Sequence, residues 1–131
     1  MSHSSTRPPI TSHVLDTGRG RPAVNVPVLL EYAPGAVTSH QQEGVEALTC
    51  YGILTRSTND DGRCPGLSTS TKALQPGCYR VTFDTKAYYA QFNERCFYPF
   101  VQIVFELTAP EDHYHIPLLL SPYSYSTYRG S

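Results

Sequence analysis

The chain alternates apolar and polar residues in short runs, the period-two pattern of strands that lay one face on a core. Residues 77–85 alternate most cleanly, with Tyr79, Val81 and Phe83 facing in and Arg80, Thr82 and Asp84 facing out. Residues 98–108 repeat the pattern with Val101, Ile103, Phe105 and Leu107 inward. Residues 10–17 predict a first strand, with His13 and Leu15 on one face and Val14 on the other. A second covers residues 25–33, where Pro27 suits only an edge or the first positions. A third covers 49–57, with Cys50, Gly52 and Leu54 alternating against Tyr51, Ile53 and Thr55. The last two strands lie within residues 113–131, joined by a turn at Ser121-Pro122. Here period two sets His113, His115, Pro117 and Leu119 against Tyr114, Ile116, Leu118 and Leu120. One segment changes period. Residues 86–95 carry Tyr88, Tyr89 and Phe92 at helical spacing, which predicts a single helix, capped by Thr85 and pinned to the sheet by its aromatic stripe.

The connections are read from turn chemistry. Residues 1–9 are polar and proline-bearing and are expected to be disordered. Residues 18–22 read as a loop whose two arginines are either solvated or able to cradle an anion. Residues 34–48 have no period and read as a long loop, with His40 solvated. Asn59-Asp60-Asp61-Gly62 is a tight turn in which Gly62 supplies left-handed geometry. Arg63 follows at once and begins a short strand, either pairing with Asp60 or Asp61 at the surface or aimed into a site. About eight strands and one short helix, so spaced, predict an all-β two-sheet sandwich formed by one domain over residues 10–131.

Composition narrows the partners. The chain has 131 residues, enough for one domain with a sizeable core. A formal net charge of −1 without a basic run argues against nucleic acid. No run approaches the length of a membrane helix. The four cysteines, at 50, 64, 78 and 96, stand singly without Cys-x-x-Cys spacing. With no apolar stretch near the N-terminus, they are expected to be reduced thiols of an intracellular protein, packed as small apolar residues.

Candidate chemistry gathers near the C-terminus. His113 and His115 share a face, but a zinc site would need further ligands and the cysteines are scattered, so no metal is expected. No glycine-rich phosphate loop or nucleophile elbow occurs, and no cofactor is expected. Tyrosines and hydroxyls continue to Tyr128-Arg129-Gly130-Ser131, so this end is either a strand pinned in a sheet or part of a site.

The run from His113 to Ser131, His-Tyr-His-Ile-Pro-Leu-Leu-Leu-Ser-Pro-Tyr-Ser-Tyr-Ser-Thr-Tyr-Arg-Gly-Ser, resembles the C-terminal signature of the 5-hydroxyisourate hydrolases, the enzyme branch of the transthyretin family. Ser12-His13-Val14-Leu15-Asp16-Thr17 and Thr58-Asn59-Asp60-Asp61-Gly62-Arg63-Cys64 extend the likeness, which runs from about residue 10 onward. The resemblance implies a transthyretin-like sandwich and a homotetramer. It places the first strand between the Arg63 strand and the His115 strand, so that His13, Arg63 and His115 lie side by side along a channel between dimers. His113 shares the face but sits nearer the channel mouth.

In that reading His13, Arg63, His115 and Ser131 are catalytic, and His13, Arg63, Tyr128, Arg129, Gly130 and Ser131 bind substrate. A histidine near neutral pKa can take a proton from water, and an arginine fork can steady developing negative charge. Ser131 would orient a histidine or the substrate through its hydroxyl and the chain's carboxylate, and Tyr128 would narrow the pocket. The implied reaction opens a cyclic amide, 5-hydroxyisourate, without a cofactor or metal, during urate degradation. The compartment would be cytoplasmic or peroxisomal, although the chain has no Ser-Lys-Leu ending. The competing readings are a transthyretin-like carrier of an apolar aromatic ligand and, more remotely, an interaction sandwich of immunoglobulin type, which the absence of tryptophan disfavours.

Overall fold

A computed structural model describes residues 9–33, 51–67 and 74–130, without the side chains of 51–53. The readings on residues 1–8, 34–50 and Ser131 lie outside the described residues. Among the described residues, eight strands run in the order β1 (Ile10–Asp16), β2 (Arg21–Pro22), β3 (Pro27–Ala33), β4 (Tyr51–Ser57), β5 (Gly77–Phe83), β6 (Val101–Leu107), β7 (Tyr114–Ser121) and β8 (Ser124–Thr127), with one helix, Thr85–Ala90, after β5. They form two four-stranded sheets, β2-β1-β7-β8 and β4-β3-β5-β6, the predicted sandwich.

The core is where the alternation put it. Ile10, Val14, Leu118 and Leu120 from one sheet meet Val28, Leu30, Tyr79, Val81, Phe83, Val101 and Leu107 from the other, all nearly inaccessible to water. Each large apolar side chain so buried contributes on the order of 1.5–3 kcal/mol before chain entropy is counted. Pro27 opens β3, where the lost N–H matters least, although β3 is an inner strand of its sheet. β7 and β8 join through Pro122 and Tyr123.

Four local expectations change. The loop expected over 18–22 contains β2, whose Pro22 and Arg21 pair with Leu15 and Asp16. The helix is shorter than the spacing suggests. It stops at Ala90, because Gln91, Phe92 and Asn93 tighten the end with bonds three residues back and Asn93 takes a φ of 56°. The cap is Asp84, which accepts from Ala87 N–H at 2.9 Å, while the Thr85 hydroxyl turns inward to donate to the Tyr98 carbonyl. Phe92 lies beyond the helix end but keeps its place in the aromatic stripe, its ring edge-on to Tyr88 with centroids 5.4 Å apart. It is exposed, and the Arg19 guanidinium lies 3.5 Å over its ring. Arg63 is a single antiparallel bridge to His13, not the start of a strand.

Candidate active site

The site is built on β1, because both neighbours of that strand bring polar side chains to its outer face. β1 and β7 run parallel, and their register sets Thr11 beside His115 and His13 beside Pro117. On β1's other flank, Arg63 bridges His13. The three expected residues thus share one sheet face, but His115 is offset two residues along β1 from the His13–Arg63 pair. Thr11 fills the offset.

Arg63 is aimed by the turn before it. Gly62 has a φ of 75°, and a Cβ there would come within 2.4 Å of the Val14 carbonyl, so only glycine lets the turn sit against β1. Val14 N–H donates to the Gly62 carbonyl at 2.8 Å, and Asn59 Oδ1 accepts from the N–H groups of Asp61 and Arg63. Buried Thr58 anchors the turn, donating to the Ala23 carbonyl at 2.7 Å and accepting from Val26 N–H at 2.9 Å. The Arg63 side chain is left exposed at the end of this frame.

His13 is half-buried. Burial and the neighbouring Arg63 guanidinium lower its pKa, and the hydrogen bond to the Asp61 backbone and the Asp61 charge only partly offset them. The ring is therefore neutral at pH 7. Thr11 Oγ1 lies 2.8 Å from His115 Nδ1 and 3.1 Å from His113 Nε2, and the two imidazoles are nearly parallel with centroids 6.4 Å apart. The sequence reading missed Thr11. It sits on the His13 face by period two, but its role depends on a strand pairing across 104 residues.

A cavity of about 360 Å³ opens over this face, lined by Thr11, Asn59, Arg63, Cys64, His113 and His115 among others. That volume lies in the range of small-molecule sites, roughly 300–1,000 Å³. Cys64 borders it. Its thiol is buried and pushed up to about 11 by that burial, which makes it inert as a nucleophile.

The C-terminal residues divide. Gly130 bridges His115, donating its N–H to the His115 carbonyl at 2.9 Å, and its Cα lies so close that a Cβ would fall 2.5 Å from His115 Cδ2. Tyr128 and Arg129 instead line a separate cavity of about 220 Å³ with Phe105, Tyr114 and Ile116, and the Arg129 guanidinium lies 4.5 Å over the Tyr114 ring. Within one chain, Gly130 belongs to the His115 cluster and Tyr128 does not.

A polar face on a two-sheet β-sandwich, furnished with three histidines and an arginine beside a cavity, is a candidate small-molecule site on a fold of transthyretin-like type. The family model for the HIUase/Transthyretin family matches residues 10–130, and the chain belongs to that family. It is 43% identical over 123 residues to the 5-hydroxyisourate hydrolase of Mus musculus, covering 94% of this chain and 95% of that protein. It is 46% identical over 128 residues to the uric acid degradation bifunctional protein of Arabidopsis thaliana, covering 96% of this chain but only 38% of that protein. Among solved structures, the 5-hydroxyisourate hydrolase of Klebsiella pneumoniae superposes with a TM-score of 0.72 at 30% identity, covering 93% of this chain and 97% of that one. Transthyretin of Sparus aurata superposes at 0.79, also at 30% identity, covering 95% and 97%.

Proposed function

We propose that this chain hydrolyses 5-hydroxyisourate to 2-oxo-4-hydroxy-4-carboxy-5-ureidoimidazoline, a cyclic amide opening on the route from urate to allantoin. The observation that carries the reading is the His13–Arg63 bridge on the same face as His115, a polar constellation unsuited to an apolar ligand. The relatives named for this activity support it.

In this reading His115 takes a proton from water as the oxygen attacks the carbonyl carbon beside a ring nitrogen. Arg63 holds the oxyanion that forms on the carbonyl oxygen. Neutral His13 orients the water. The carbon–nitrogen bond then breaks, and the His115 imidazolium returns its proton to the departing nitrogen, leaving a carboxyl group and an opened ureido arm. Ser131 follows Gly130 and contributes its hydroxyl to substrate or histidine, and Tyr128 and Arg129 reach substrate across an interface. The working species is a homotetramer whose second dimer closes the open face. Exposed Phe97, Phe100, Tyr123, Tyr125 and Tyr128 give such an assembly apolar surface to cover. The compartment is cytoplasmic or peroxisomal.

The test generates 5-hydroxyisourate from urate and follows its disappearance with and without the protein. His115→Ala and Arg63→Ala are each expected to slow turnover by ~10²–10⁴-fold and ~10²–10³-fold respectively, in folded protein that light scattering sizes at four chains. Near-parental rates in both variants would end the enzymatic reading of this face, and no acceleration by the parent would favour a ligand carrier.

A further inference from the structure

The Thr11 hydroxyl has one hydrogen and lies within bonding distance of two imidazole nitrogens, Nδ1 of His115 at 2.8 Å and Nε2 of His113 at 3.1 Å. A bridge of this kind ties the two rings together. The hydroxyl donates to one nitrogen and accepts from the N–H of the other, so the tautomer of one ring fixes that of its neighbour. We infer that Thr11 is a positioning residue that holds His115 in the Nδ1-protonated tautomer, with His113 as the second anchor of the bridge. The inference rests on the hydrolase reading given above.

The chemistry follows from the atoms. A neutral imidazole can accept a proton only at the nitrogen that lacks one. With Nδ1 turned to Thr11, the ring's other nitrogen, Nε2, must do the base chemistry. That requires Nδ1–H to donate to Thr11 Oγ1 and the Thr11 hydroxyl to donate to His113 Nε2. When Nε2 takes the proton of water, the positive charge on His115 is shared through Nδ1–H with the hydroxyl oxygen, which strengthens that bond as the charge appears. In the reverse arrangement His113 donates from Nε2, Thr11 donates into His115 Nδ1, and His115 carries its hydrogen on Nε2, where it cannot act as the base.

The fold makes this bridge firm. Thr11 and His115 are register partners on hydrogen-bonded strands, and both are half-buried. Gly130 presses on the Cδ2 edge of the same ring, opposite the Thr11 side. The His113 backbone carbonyl accepts from Arg129, which holds that residue from its other end. His113 therefore has a task beyond lining the cavity, which its expected place near the channel mouth did not suggest.

Thr11→Val keeps the shape and removes the hydroxyl, and Thr11→Ser keeps the hydroxyl. In the assembled full-length protein, Thr11→Val is expected to lower kcat by ~10–10²-fold, the worth of one hydrogen bond to a charged ring, with KM little changed. Thr11→Ser is expected to restore most of the rate. Nitrogen NMR of histidine-labelled protein should show His115 protonated on Nδ1 in the parent and in Thr11→Ser, and shifted toward Nε2 in Thr11→Val. A parental kcat in Thr11→Val, or equal losses in Thr11→Val and Thr11→Ser, would overturn the inference. Should Thr11→Val fail to fold, the parent spectrum decides alone, and His115 protonated on Nε2 at rest would reject it. Failure of the hydrolase reading looks different, because the parent protein itself would then leave the disappearance of 5-hydroxyisourate unaccelerated.

Discussion

β1 carries two polar clusters on opposite faces, and they are built to opposite rules. At its C-terminal end Asp16 is completely buried, yet its carboxylate accepts from the Tyr88 hydroxyl at 2.6 Å, from Arg19 N–H at 2.9 Å and from the Arg19 guanidinium at 3.1 Å. Burial alone would raise the pKa of Asp16, but these bonds together pull it below its usual value. Arg19 goes on to Glu94 at 2.9 Å and to the face of Phe92, so the cluster ties the β1–β2 loop to the helix end. Nearer the start of the strand, Thr11 and His13 are only half-buried, and Arg63, which bridges His13, stands exposed over a cavity. The first cluster spends its bonding capacity within the fold. The second keeps its chemistry turned outward. A polar group that the fold has saturated holds structure, and one the fold has aimed but left accessible can act on a ligand.

The contrast predicts which property each cluster controls. The largest effects belong to the open cluster, where loss of His115 or Arg63 removes rate and spares the fold. Gly130→Ala follows. Its Cβ would meet the His115 ring at 2.5 Å, so the ring must move, and such a displacement is expected to cost up to ~10²-fold in kcat. Steady-state kinetics beside a melting curve checks it, and an unchanged kcat would mean the ring has room that the geometry denies.

Asp16→Ala should invert the result. It strands the Tyr88 hydroxyl in the interior and removes the partner of Arg19, at an expected loss of ~1–3 kcal/mol in urea denaturation, while turnover per folded molecule stays near the parent's. A rate loss without a stability loss would erase the distinction between the clusters.

The smallest effect is in pH dependence. The folded chain binds a proton at His13 more weakly than the unfolded chain, so this contribution is whole above 6.5 and is lost as pH falls below it. Asp16 behaves likewise around a lower point, with its contribution whole above 3.8 and lost as pH falls toward the depressed folded value. Urea midpoints across pH should show the upper step vanish in His13→Gln while the lower one remains. An upper step of unchanged size in that variant would assign it to another group.

What the sequence disclosed depended on how local the physics was. Alternation alone placed β5, β6 and β7, because a half-buried strand must repeat every second residue. The Asn59–Gly62 turn was legible, because only certain residues accept its geometry. His13, Arg63 and His115 were proposed together through family resemblance, and the structure brings them to one face with the offset that only strand register can reveal. Thr11 was silent, since a threonine beside a histidine 104 positions away leaves no trace in either neighbourhood. Asp16 was silent for a related reason. A buried carboxylate reads as surface until Tyr88, from the helix, is known to meet it. The cap moved from Thr85 to Asp84 because threonine found a better partner in the Tyr98 carbonyl.

The parallel pairing of β1 with β7 also has a consequence in time. A chain made from its N-terminus completes β1 early, but β1's long partner begins only at Tyr114. Until then the described residues offer β1 two-residue β2 and the bridge to Arg63, while β3, β4, β5 and β6 already have each other. The sheet that carries the histidines is the last to close, and closing it brings together segments about a hundred residues apart, which is slow in proportion to the loop that must be ordered. During that interval the edge of β1 that β7 will cover stays open beside the apolar side chain of Val14, and an open edge of that kind draws in other chains.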